Sequence, residues 1–235
     1  TTAFRALQSV LAALAVQQAI QKVIQINDEY SRLESRLSLV TSSAQELLDV
    51  QEKLYNLAQA SKTPYAATAS LYADIAAAGQ ELNATQEQML KVTGAVGASL
   101  VVAGRSASEA SGAIFQLGQL FGGPIVQAQE YNAMIDNMRP LLVAVAKNMD
   151  GTGGSVAGLT RMVKDGKVAT ADFFAAAVAG ADSLTASAQG LQITVGQSMT
   201  VLENEVKRAI AGADTTPLTD AIAELTKTLS NPQVI

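Results

Sequence analysis

Helix punctuation constrains this chain more than any other feature of its sequence. A helix N-terminus leaves backbone N–H groups without intrahelical partners, and a Ser or Thr followed three residues later by Glu or Gln can satisfy them reciprocally. That spacing occurs at Ser43/Glu46, Thr85/Gln88 and Ser106/Glu109, each time ahead of an apolar run. Thr63-Pro64 sets an N-cap before a proline, and Thr216-Pro217 repeats the arrangement. Gly79, Gly104 and Gly122-Gly123-Pro124 stand where the intervening runs stop. Ser155 and Thr170 are further candidate caps, for stretches to Lys164 and over Ala171 to Ala179. Such signals in register with apolar residues predict one helix after another. No alternating β-branched run is long enough for a strand; Lys167-Val168-Ala169 is at most a short extended link.

Composition agrees with that reading. Alanine is the commonest residue, about one in six. Aromatics make up 4% and tryptophan is absent, so large core anchors are scarce and thin, closely packed helices are favoured. The 49% apolar share against 16% charged is ample for a buried core.

The helices differ in length. The first runs from about Ala3 to Val40, with Val16, Ile20, Val23, Asn27, Tyr30, Glu34 and Leu37 at alternating four- and three-residue steps. That is a heptad-like seam with polar interruptions at Asn27 and Glu34, and it calls for a partner helix. A second long helix is expected over Ser183 to Ala211, with Leu191, Val195, Met199, Leu202 and Val206 on one face. A last amphipathic helix follows with Leu218, Ile222, Leu225 and Leu229. The expected architecture is therefore all-α. A compact multi-helix middle domain over 42–181 is flanked by two long helical arms, a coiled-coil-like helix over 1–41 and a long helix plus a short one over 182–235.

Absences narrow the chemistry. The chain contains no cysteine and no histidine, so it has no thiolate ligand, no imidazole base and no Ser-His-Asp or Cys-His triad of its own. No catalytic, cofactor-binding or metal-ligating residue is expected, and no cofactor. The net charge of −5 and loose spacing of Arg139, Lys147, Arg161, Lys164 and Lys167 argue against a nucleic-acid site. Gly151-Thr152-Gly153-Gly154 lacks the lysine of a phosphate loop and reads as a flexible turn. Asp28-Glu29 and Glu203/Glu205 read as solvated carboxylates. Asn83-Ala84-Thr85 matches a glycosylation sequon, although Thr85 already serves as a cap. Small residues at Gly104, Ser108 and Gly112, and at Gly118 and Gly122, suit close helix packing. The N-terminal residues do not read as a signal peptide, and an internal cut of a longer polypeptide is expected. The charge-free stretch from Val92 to Gly104 is too short to span a bilayer.

The run from Glu109 to Leu120 (EASGAIFQLGQL) resembles the N-terminal conserved domain of phage tail tape-measure proteins. The resemblance continues through Gln129–Ile135, Arg139-Pro140-Leu141, Gly158-Leu159, Lys164–Val168 and Asp172–Ala177. Upstream, Tyr30-Ser31-Arg32-Leu33 and Thr68–Tyr72 are also similar, so it covers about 28–181, while Gln127-Ala128-Gln129 departs from the family pattern. The resemblance implies a non-enzymatic structural component of the virion, in the tail lumen, that sets tail length and leaves during genome ejection. Its implied partners are other copies of itself, tail tube and tail-tip proteins and tail assembly chaperones, with host cytoplasm as the site of assembly and host-membrane contact during ejection. The competing reading is a membrane-active helical protein with an apolar hairpin over 89–121.

Overall fold

The computed structural model describes residues 2–106, 109–191 and 194–212. Among them the chain forms ten helices and no strand. These are α1 (Thr2–Ser38), α2 (Ala44–Ser61), α3 (Tyr65–Ala77), α4 (Gln86–Ala103), α5 (Ser111–Phe121), α6 (Ala128–Asn137), α7 (Arg139–Lys147), α8 (Val156–Lys164), α9 (Thr170–Gln189) and α10 (Val195–Ala211). The all-α expectation holds, and the first helix has 37 residues. Two compact units result: Asp28–Asn204, and Thr1–Asn27 with Glu205–Ile235. In the second unit, residues 2–27 and 205–211 are helical. The helix expected from Thr216 lies outside the described residues.

The caps explain most boundaries. The Ser43 hydroxyl accepts from the Glu46 N–H at 3.1 Å. Thr85 and Gln88 close a full reciprocal box, and Gly104 ends α4 at φ +67°, a left-handed conformation that suits a residue without Cβ. The Ser155 hydroxyl accepts from the Gly158 N–H at 3.1 Å. Ser106 and Glu109 also bond reciprocally, but they close a turn ahead of α5, whose cap position is Ala110.

Other boundaries differ from the sequence expectation. Pro64, not Thr63, occupies the cap position of α3, and the Pro64 carbonyl accepts from the Thr68 N–H at 3.1 Å. Thr63 turns its hydroxyl to those of Ser61 and Thr68, each at 2.9 Å. Thr170 is not a cap either; it lies inside α9, its buried hydroxyl without a partner. That helix does not stop near Ala179. It continues to Gln189 through Gly180, where a Cβ would come within 2.8 Å of the Ala144 Cβ. Gly180 is thus a point of close approach to α7, not a break. The long helix expected over Ser183 to Ala211 is two helices, because Thr194 and Gln197 form their own reciprocal cap and start α10.

Two apolar clusters hold the Asp28–Asn204 unit together. The larger joins α4, α5, α6, α7, α8 and α9 with Leu71 and Ile75 of α3. Phe121 sits edge-on to Phe173 and Phe174, with ring centroids 6.3 and 5.8 Å apart. The smaller joins Leu33 and Leu37 of α1 to Val50, Leu54 and Tyr55 of α2 and to Tyr65 and Tyr72 of α3. Tyr30 stacks on Tyr65 at 5.2 Å. The short extended link is present: Val126 donates to the Val168 carbonyl at 2.9 Å, and Ile125 and Ala169 form an isolated antiparallel bridge.

The 151–154 turn is not the loose linker expected. Thr152 is buried and its hydroxyl donates to the Ala146 carbonyl at 2.5 Å, while the Gly154 N–H donates back to it at 3.1 Å. Gly151, Gly153 and Gly154 all have positive φ. A Cβ at Gly158 would fall 1.9 Å from the Thr152 carbonyl oxygen, so the turn lies directly on the start of α8.

Candidate interaction site

The groups weighed from sequence stay dispersed. Glu203 and Glu205 are exposed on α10 and Asn83 is exposed beside the α4 cap. Among the described residues no cluster of three or more metal-ligating side chains forms. Gly112 faces open space, whereas a Cβ at Gly118 would come within 2.7 Å of the Asp74 carboxylate. Asp74 is itself ion-paired to Arg36 at 2.6 Å, which ties the end of α1 to α3 beneath α5. That pair is about 40% exposed on each side, so it orients the helices more than it stabilises them.

The basic residues are sorted differently. Lys167 pairs with Asp165 at 3.1 Å. Arg139 and Lys147, eight residues apart in sequence, come together on one strip of α7 and edge a groove of about 740 Å³. The ends of α4 and α6, the length of α7 and the Gly180/Ser183/Leu184/Ser187 face of α9 enclose it. Helical spacing makes this possible: positions i, i+3, i+4 and i+7 share a face, and Gly180 lets α9 lie against α7. Val102, Ile135, Val143 and Ala144 line the groove as half-buried apolar groups, and Leu184 reaches it with 6% of its surface exposed. Arg105 adds a third cation and Asp136 one carboxylate. Backbone and hydroxyl hydrogen bonds from Ser106, with help from the Arg105 charge, hold the Glu109 carboxyl below its ordinary range. Burial pushes the Tyr131 phenol up, while its bond to the Thr160 hydroxyl and the nearby Arg139 charge oppose the shift.

A second surface lies on α10. Val195, Met199 and Leu202, which share one face of the helix, are 83%, 58% and 54% exposed. The buried residue of that helix is Asn204. Its side-chain carbonyl accepts from the Tyr65 N–H at 2.9 Å, and its amide donates to the Thr63 carbonyl at 2.9 Å and to Gln59 at 3.1 Å. Neither surface was visible in the sequence: the groove needs four helices, and Asn204 looks like one more polar residue.

Among the described residues no helix is long and apolar enough to cross a membrane. Much of the hairpin imagined over 89–121 is core: Val92, Val96, Leu100, Leu117 and Phe121 are buried. No curated protein and no solved structure matches the chain. A family model described as tape measure protein matches residues 21–215. That span takes in the run from Glu109 to Leu120, the whole of the larger core and the groove on α7. The chain belongs to the tape measure protein family, and with it to the structural components of phage tails.

Proposed function

We propose that this chain is a segment of the protein that occupies the tail lumen, sets tail length during assembly and is released during genome ejection. The observation that carries the proposal is the family match over 21–215, supported by the 37-residue helix α1. A helix rises 1.5 Å per residue, so α1 spans about 55 Å and converts residue count linearly into distance. No step of this role requires catalysis, and none of the chain's residues is assigned one. Its partners in this reading are further copies of itself, the tail tube and tip, and the assembly chaperones met in host cytoplasm; contact with the host membrane belongs to the moment of ejection.

An in-frame helical insertion tests the ruler. Adding about 35 residues of helix-forming sequence to the parent polypeptide should lengthen tails by about 50 Å, measured on negatively stained particles. Tails of unchanged length would overturn the length-setting role. Loss of the polypeptide from particles after triggered DNA release checks the ejection role, and its retention in emptied tails would count against it.

A further inference from the structure

The groove edged by α7 has a pattern that favours one kind of occupant. Arg139, Val143 and Lys147 follow one another along the helix at i, i+4 and i+8, a cation, an apolar group and a cation. The two cations are about 12 Å apart along the axis. Both are exposed, and neither makes an ion pair or a side-chain hydrogen bond among the described residues. Between them Val143, Ala144 and Leu184 offer apolar surface. The single carboxylate of the lining, Asp136, leaves the rim net positive when Arg105 is counted, although Glu109 lies close enough to Arg105 to offset part of it.

The geometry points to a docking site for an acidic amphipathic helix from a partner protein. Such a helix would carry two carboxylates spaced as Arg139 and Lys147 are, with an apolar residue between them. Helices dock in grooves through apolar anchors at one-turn spacing, and flanking charges fix register and speed encounter. A small anionic amphiphile has one headgroup and can meet only one of two cations that far apart, so the paired rim favours the helix. This inference goes beyond the length-setting role and does not depend on it.

The test uses the purified chain and a fluorescein-labelled, alanine-based helical peptide with two glutamates in that spacing and a leucine midway. Saturable binding by fluorescence anisotropy is expected, weakening at least about tenfold in Arg139→Glu/Lys147→Glu. It should also weaken as NaCl rises from about 0.05 to 0.5 M. The charge-neutral Arg139→Gln/Lys147→Gln variant should bind with intermediate strength, and circular dichroism of all variants should match the parent. The proposal is overturned by absence of binding at about 1 mM peptide, or by equal binding of a lysine-substituted peptide. It is overturned too if decanoate binds in the groove and displaces the peptide while a single cation suffices. Self-association of the chain that vanishes in the double Glu variant would assign the groove to a second copy and overturn it likewise.

Discussion

Helices α9 and α10 follow one another in the chain and solve burial in opposite ways. In α9, Phe173, Phe174, Ala176, Ala177, Gly180, Ala181 and Leu184 are buried, and the helix is packed into the larger apolar cluster. In α10, the apolar residues Val195, Met199 and Leu202 point outward and the amide of Asn204 is the buried group. One helix is held by excluded water and close packing; the buried point of the other, Asn204, is met by three directed hydrogen bonds. Periodic apolar residues therefore do not establish that a helix faces its own core. The same four- and three-residue steps describe both the buried stripe of a bundle and an outward one.

Substitutions can break this contrast. Phe173→Ala should cost the most, about 3–5 kcal/mol, since it removes a fully buried ring that meets Phe121 edge-on; urea unfolding followed by circular dichroism reads it. Asn204→Ala should cost about 2–3 kcal/mol by leaving the Tyr65 N–H and the Thr63 carbonyl without their partner. Its first sign should be faster protease cleavage between Gln189 and Val195, with α9 still protected. Equal protection of both helices would remove the distinction drawn between them. Gly180→Ala should cost about 1–3 kcal/mol, because the new methyl meets Ala144.

Alkaline titration probes the two clusters together. Burial pushes the Tyr72 phenol up to about 12, with Glu46 adding to the shift, and burial raises Tyr131 as well. A phenol whose folded value lies above its unfolded one contributes stability that is complete below the unfolded value of about 10. That contribution is lost as pH rises toward the folded value. Unfolding should therefore set in between pH 10 and about 12, with absorbance at about 295 nm following phenol ionisation across the same range. The smallest effect is expected for Met199→Ser/Leu202→Ser, within about 0.5 kcal/mol in the isolated chain. A large loss there would mean that the outward face of α10 is covered after all.

Local chemistry was legible, and relations between distant segments were not. Ser43, Thr85, Gly104 and Ser155 behave as their spacing dictates because a cap depends on residues within one turn. The break between α9 and α10 was also written locally, in Thr194 and Gln197, but the apolar steps from Leu191 to Val206 masked it. Gly180 and Thr152 illustrate the opposite case. Both look like loosening residues, and each is fixed by a neighbour that sequence does not reveal: Ala144 against the glycine, the Ala146 carbonyl against the hydroxyl. The groove was out of reach in the same way. Arg139 and Lys147 looked like members of a loose basic stretch until α9 and the end of α4 supplied the apolar surface between them.

The hook at Asn204 has a thermodynamic corollary. Heat-capacity change and denaturant sensitivity both scale with the surface that unfolding exposes. Detaching residues 195–204 breaks hydrogen bonds yet uncovers little apolar area, since the stripe is already in water. The step should then be nearly invisible to calorimetry and almost flat in urea, while the remainder of the unit melts with a steep, cooperative transition. Up to this one asparagine, the first half of α10 can let go without the heat and urea signature of the core.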